Sequence, residues 1–184
     1  MNRAASTTFP NIILVGLMGC GKTTIGKELH RETNLDLSDT DQLIEQQTGL
    51  SIPQIFKIHG EAYFRNLETA LLYNLQESST KNRIISTGGG ITIRKENRLI
   101  LRKLGFVVWL RTDVNTLYQR ISRCSNRPLL QHPNPKSILH RLMEERYNFY
   151  KETAHLTIDT DNLHINEIAF GILESARIFL SHQQ

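Results

Sequence analysis

Short apolar runs alternate along this chain with stretches of helical periodicity. Asn11–Leu17 (NIILVGL) is an unbroken apolar run ending at a leucine after a glycine, which suits a strand buried on both faces. Residues 22–33 follow as a helix. A short strand at 35–39 (LDLSD) leads into a helix over 41–48 that Gly49 closes. Ser51-Ile-Pro-Gln54 reads as a helix start, with the serine as N-cap and the glutamine completing a capping box. Phe64, Leu67, Leu71 and Leu75 fall at helical spacing within 61–78, and Arg83–Thr87 (RIIST) is a strand that runs into Gly88-Gly89-Gly90. A basic helix over 94–104 stops at Gly105. Phe106–Leu110 (FVVWL) is another buried strand, and a helix over 113–122 takes Thr112 or Asp113 as its cap. A helix over 137–153, a strand at 156–159 (LTID) and a helix over 165–181 complete the chain. Residues 1–10 are polar and read as a frayed end.

Five short apolar strands alternating with helices predict an α/β fold with a parallel sheet covered on both faces. Its crossovers should be right-handed, and ligands should bind beyond the carboxyl ends of its strands. Residues 123–136 (RCSNRPLLQHPNPK), with three prolines, interrupt this rhythm. An irregular segment of that length inside a domain suits a lid or a binding loop.

The length of 184 residues predicts one domain, residues 1–184, with room for a movable lobe. A charged fraction of 22% excludes a disordered chain, a collagen and a coiled-coil rod. Cys20 and Cys124 are too few for a disulfide framework, so a reducing, cytoplasmic compartment is the expectation. No run approaches the ~18 apolar residues of a membrane helix. Arg3, the run Ile12–Met18 and Gly19-Cys20 faintly resemble a lipoprotein signal, but Pro10-Asn11 interrupts the approach and cleavage there would remove the first strand.

The net charge of +4 is unevenly spread. Residues 83–146 carry 13 basic and 4 acidic groups, ten of the cations being arginine, whereas both flanks are net acidic. Such a stretch points to an anionic partner: phosphate, carboxylate or nucleic acid. Nucleic-acid binding prefers interleaved aromatics or an RNA-type motif, and the arginine-bearing loop at 123–136 has neither.

Gly16-Leu-Met-Gly19-Cys20-Gly21-Lys22-Thr23 fits G-x-x-x-x-G-K-[ST] and lies between a predicted strand and a predicted helix, the context that identifies a phosphate-binding loop. Glycines let successive N–H groups turn inward toward phosphate oxygens, and the helix adds its positive end. Lys22 would reach the β and γ phosphates, and the Thr23 hydroxyl would ligate Mg²⁺. No Asn-Lys-x-Asp sequence for guanine occurs.

Asp39-Thr40-Asp41 ends the second strand. One carboxylate could approach Mg²⁺ through water and the other could take a proton from an attacking hydroxyl, while a helix N-cap is the plainer use of such an aspartate. Arg65 and Arg146 have carboxylates at helical spacing (Glu68, Glu144, Glu145). They fit either surface ion pairs or a guanidinium fork for a substrate carboxylate. Gly88-Gly89-Gly90 permits either a flexible turn or close approach to a ligand. The strand before it lacks a terminal acidic residue, which moves the metal-facing role to Asp39. Arg120, Arg123 and Arg127 lead into or lie on the lid, where an arginine can close over a transferring phosphate. The seven histidines show no metal-ligand spacing, Trp109 reads as core, and Phe56 and Phe64 as core or pocket wall.

The ordered series GLMGCGKTTIGKEL, SDTDQLIEQQTGLSIPQIF, GEAYFRNLE, TGGG, NRPLL and MEERYNFY resembles shikimate kinase over nearly the whole chain. The resemblance implies a P-loop kinase fold with a five-stranded parallel sheet in the order 2-3-1-4-5 flanked by helices, a substrate-binding lobe at 41–78 and a lid at 123–136. It implies transfer of the γ-phosphoryl group of ATP to the 3-hydroxyl of shikimate, in aromatic amino-acid biosynthesis, with Mg²⁺ as cofactor. Gly19, Cys20, Gly21, Lys22, Thr23 and Thr24 would cradle ATP, with Thr23 and, through water, Asp39 on the metal. Asp41 would bind the shikimate hydroxyl and act as base. Arg65 and Arg146 would grip the shikimate carboxylate, with Gly89 lining the pocket. Arg127 would reach the phosphates from the lid, and Arg120 would lie along the adenine. A monomer without nucleic-acid or membrane partners is the expectation. Alternatives are a gluconate-type sugar-acid kinase and a non-catalytic ATP-binding module of the same fold. The family's arginine just after the last strand is missing from Asp159-Thr160-Asp161-Asn162-Leu163, and the basic residues at 94–103 have no assigned role.

Overall fold

Four consecutive apolar residues form β1 (Ile12–Val15), and all four are fully buried, as a strand covered on both faces requires. In the computed structural model, which describes residues 9–78, 82–123 and 133–182, β1 is the middle of five parallel strands. It pairs with β3 (Arg83–Ser86) on one side and β4 (Phe106–Arg111) on the other. β2 (Asp36–Asp39) lies outside β3 and β5 (Leu156–Asp159) outside β4, giving the order β2-β3-β1-β4-β5. The edge strands DLSD and LTID are the more polar ones and are only partly buried.

The connecting helices are α1 (Lys22–Thr33), α2 (Thr40–Thr48), α3 (Ile52–Glu77), α4 (Lys95–Leu104), α5 (Val114–Ser122), α6 (Pro135–Thr153) and α7 (Ile165–Ser181). α1 packs on α7, while α3, α4, α6 and α5 pack in series. Leu29, Ile172, Leu72, Leu101 and Leu139 bring these helices into one core with the sheet and with fully buried Tyr150.

Several boundaries differ from the sequence expectation for local reasons. The helix start at Ser51 and the periodic stretch at 61–78 are one element, α3, interrupted only at Gly60 (φ 80°, ψ 172°), a conformation open to glycine. Asp113, not Thr112, caps α5: its carboxylate accepts from Asn115 N, while the Thr112 hydroxyl is buried against that of Thr160. α6 begins at Pro135 because the Asn134 side chain caps it and proline suits a first helical position.

The arginines of the basic helix are structural ties. Arg94, at its N-cap, donates to Thr69 Oγ1 and Asn66 Oδ1 on α3. Arg98, nearly buried, donates to the carbonyls of Thr92 and Ile93, pairs with Glu152 at 3.1 Å and stacks on Phe149. Arg102 gathers the last carbonyls of α6, those of Glu152, Thr153 and Ala154. Cations at a helix C-terminus satisfy orphan carbonyls and complement the dipole.

Candidate active site

β1 delivers the chain into the phosphate loop at the carboxyl end of the sheet. Gly19 (φ 84°) and Gly21 (φ 100°) occupy the left-handed region that the tight curl demands. Gly21 is the N-cap of α1 and offers no side chain, so the first N–H groups of α1 open onto the cleft instead of being capped internally. No acidic side chain occupies the first turn, which leaves the positive helix end for an anion. Lys22 Nζ donates to the Gly16 and Leu17 carbonyls at 2.7 and 3.0 Å, holding the ammonium inside the loop. Buried Cys20 fills the space beneath it, its sulfur 3.6 Å from Nζ.

The register of β2 against β3 sets Asp39 beside Ser86. Asp39 serves as the N-cap of α2, with Oδ1 accepting from the N–H groups of Asp41 and Gln42 and Oδ2 accepting from Ser86 Oγ. A hydroxyl thus stands at the end of β3, and it fixes the neighbouring carboxylate. Thr40, fully buried, accepts from Gly88 N and ties the start of α2 to the glycine turn. Asp41 faces that turn. A Cβ on Gly88 would lie 2.5 Å from Asp41 Oδ1 and 3.3 Å from Glu68 Oε1, so only glycine admits both carboxylates. Both oxygens are buried without a hydrogen-bond partner. Burial, reinforced by the Asp39 charge, pushes the Asp41 carboxyl up to about 6, with Lys22 opposing.

Across the same turn, Arg65 is clamped by two carboxylates on its own helix. Nη1 donates to Glu68 Oε2 at 2.7 Å, and Nε and Nη2 both reach Glu61 Oε1. Its guanidinium lies over Gly90, where a Cβ would meet Nη1 at 2.5 Å. Glu68 is fully buried; burial raises its carboxyl above the usual range although the Arg65 charge opposes this. Arg146 pairs with neither Glu144 nor Glu145 in the described contacts. Instead, Nη1 donates to the Gly89 carbonyl at 3.1 Å, and the Tyr150 hydroxyl donates to the same oxygen. Arg65 and Arg146 both act electrostatically on Tyr150 and on Glu68, so the two guanidiniums bracket the glycine turn.

A cleft of about 550 Å³ opens along this surface. Gly19, Cys20, Gly21, Lys22, Thr23, Thr24, Asp39, Asp41, Gly89 and Arg120, all singled out from the sequence, are brought together along it. Arg65 and Arg146 stand behind its glycine wall. Arg127, like most of the 123–136 segment, lies outside the described residues. Arg120 donates to Thr160 through both its hydroxyl and its carbonyl, and Leu163, Ile165 and Ile168 form an apolar wall nearby. Of the two phenylalanines, Phe64 is core and Phe56 is partly exposed against it, with ring centroids 4.9 Å apart. Sequence reasoning does not reach Ser86, Tyr150 or the buried state of Glu68, because each depends on strand register or on how α3 and α6 meet the turn.

Thr23 and Asp39 offer hard oxygen donors at the cleft, which fits Mg²⁺. Among the described residues no cluster of three or more His, Cys, Asp or Glu could hold a metal alone.

A family model described as Shikimate kinase matches residues 18–177. A shikimate kinase of Pseudomonas paraeruginosa (strain DSM 24068 / PA7) is 46% identical over 167 residues, covering 91% of this chain and 96% of that protein. One of Thioalkalivibrio sulfidiphilus (strain HL-EbGR7) is 45% identical over 162 residues, covering 88% and 84%. The solved structure of shikimate kinase from Acinetobacter baumannii in complex with shikimate superposes with a TM-score of 0.85 at 42% identity, covering 97% of both chains. A gluconokinase from Sinorhizobium meliloti 1021 covers 96% of this chain and 99% of its own, with a TM-score of 0.58 at 16% identity, a likeness of fold alone. With its motifs in order and its relatives matched nearly end to end, the chain belongs to the shikimate kinase family.

Proposed function

We infer that this chain transfers the γ-phosphoryl group of ATP to the 3-hydroxyl of shikimate, giving 3-phosphoshikimate and ADP in the pathway to aromatic amino acids. The observation that carries this reading is one cleft that joins an open helix N-terminus to the buried Asp41 carboxylate, backed by two guanidiniums. The phosphate chain of ATP lies on the loop from Gly19 to Thr24, with Lys22 on its β and γ phosphates. Arg120 and the Leu163–Ile165 wall receive the adenine. Arg65 and Arg146 receive the shikimate carboxylate, and Gly89 allows the ring close to the backbone. Asp41 takes the proton of the attacking hydroxyl as its oxygen bonds to phosphorus and the bond to the ADP oxygen breaks. Burial supports this role, because it makes the carboxylate a better proton acceptor. Thr23, and Asp39 through water, would hold Mg²⁺, which would neutralise charge on the phosphates. Motif position assigns Arg127 to the transferring phosphate.

The test is ADP release by purified protein with ATP and Mg²⁺. Release should require shikimate, and gluconate should not replace it. Turnover with gluconate, or ATP binding without shikimate-dependent release, would replace this reading with a sugar-acid kinase or a non-catalytic module.

A further inference from the structure

The Gly89 carbonyl has two donors, both from one face of α6. Arg146 and Tyr150 are four residues apart, one helical turn, and both point at this oxygen. Their circumstances differ. Arg146 is half-buried, whereas Tyr150 is fully buried, its ring stacked on Trp109 with centroids 5.6 Å apart. An arginine that turns its whole fork onto a substrate carboxylate, as a bidentate pair asks, gives up its present acceptor. A half-buried carbonyl that loses its donor is left unsatisfied at a cost. We propose that Tyr150 is a positioning residue for substrate binding: its hydroxyl keeps the Gly89 carbonyl satisfied while Arg146 swings from that carbonyl to the shikimate carboxylate. Tyr150 therefore touches neither substrate nor nucleotide. It removes a penalty that would otherwise hold Arg146 on the backbone. Burial raises its phenol, against the opposing charge of Arg146, so it remains a donor across the working pH range.

This inference rests on the reading of Arg146 as a carboxylate ligand, and a two-residue cycle separates the two. Tyr150→Phe keeps the stacked ring and removes only the donor. In the free protein Arg146 still serves Gly89, so Tm should barely change. The shikimate KM should rise about 3–10-fold, with the ATP KM unchanged. Arg146→Ala should raise the shikimate KM about 10–150-fold, as loss of a charge-assisted contact predicts. In that background Tyr150→Phe should add nothing to KM but should lower Tm, because the carbonyl then loses its last donor. A Tyr150→Phe protein with lowered Tm and unchanged shikimate KM would show a merely structural hydroxyl and overturn the inference alone. An unchanged KM in Arg146→Ala would sink both. If Tyr150→Phe does not fold, tyrosine labelled with carbon-13 at Cζ gives a second readout in the unaltered chain, assigned by replacing the other four tyrosines singly. The Tyr150 signal should move on adding shikimate and not on adding ADP. A signal indifferent to shikimate would also refute the proposal.

Discussion

At the scale of single residues, the site works through groups that have been taken out of water and left with something to do. Asp41 Oδ1 is buried without a partner beside the equally unpartnered Glu68 Oε1, and a folded chain tolerates such atoms where they await a ligand. Asp41→Asn keeps the shape and removes the proton acceptor. It should lower kcat by about 10²–10⁴-fold, with thermal stability preserved, in steady-state kinetics at saturating shikimate and ATP. A near-normal kcat would exclude Asp41 as base. Asp39 contrasts with its neighbour. Its oxygens accept from the α2 N-terminus and from Ser86, which is the N-cap use weighed from the sequence, on a side chain that also lines the cleft.

At the scale of elements, the helices serve as brackets for the glycine turn. α2 enters through Thr40, α3 through Arg65, and α6 through Arg146 and Tyr150. α4 fastens the last two of these helices, since Arg94 binds α3 while Arg98 and Arg102 bind α6. Arg98→Ala should strip donors from two carbonyls and a partner from Glu152, lowering stability by about 2–4 kcal/mol, or about 5–15 °C in Tm, in a thermal melt. An unshifted Tm would remove α4 from the framework. These ties explain which parts of the molecule were legible in its sequence. The bounds of α1, β5 and α7 coincide with the local pattern, because periodicity and the phosphate loop are local signals. The loop residues and Asp41 are legible for the same reason. The purpose of the α4 cations is not: Arg102 meets carbonyls at the end of α6 some fifty residues away, Arg94 meets side chains on α3, Arg98 meets nearby loop carbonyls, and none of these pairings leaves a mark in a sequence. Gly60 is likewise opaque: a one-residue break and a short loop look alike in composition.

At the scale of the whole molecule, the two ends of the sheet do different work. The carboxyl end carries the cleft. Near the opposite end, His155 accepts from Val107 N through Nδ1 and packs against Phe106 and Phe179. That bond needs the neutral ring, and burial, helped by Arg102, pushes the imidazole down to about 4. The unfolded chain protonates near pH 6.5 and the folded chain near 4. The stability His155 contributes is therefore complete above pH 6.5 and is lost as pH falls toward 4. Tm should decline through that window, and His155→Asn, which retains an acceptor for Val107 but cannot titrate, should flatten the decline. Equal slopes in both proteins would clear His155 of any part in acid sensitivity. The surplus positive charge of residues 83–146 divides in the same way, with Arg120 at the cleft, Arg146 behind its glycine wall and Arg94, Arg98 and Arg102 in the framework. The central place of β1 bears on how the protein is made. Its neighbours are β3 and β4, which begin at residues 83 and 106. A ribosome that has released only the first eighty residues has therefore already issued the whole phosphate loop, yet no strand to pair with the one that bears it. Synthesis runs at about 5–20 residues per second, so that apolar segment waits unpartnered for seconds while the rest of its sheet is translated. The strand that carries the phosphate loop is thus issued well before either strand that pairs with it.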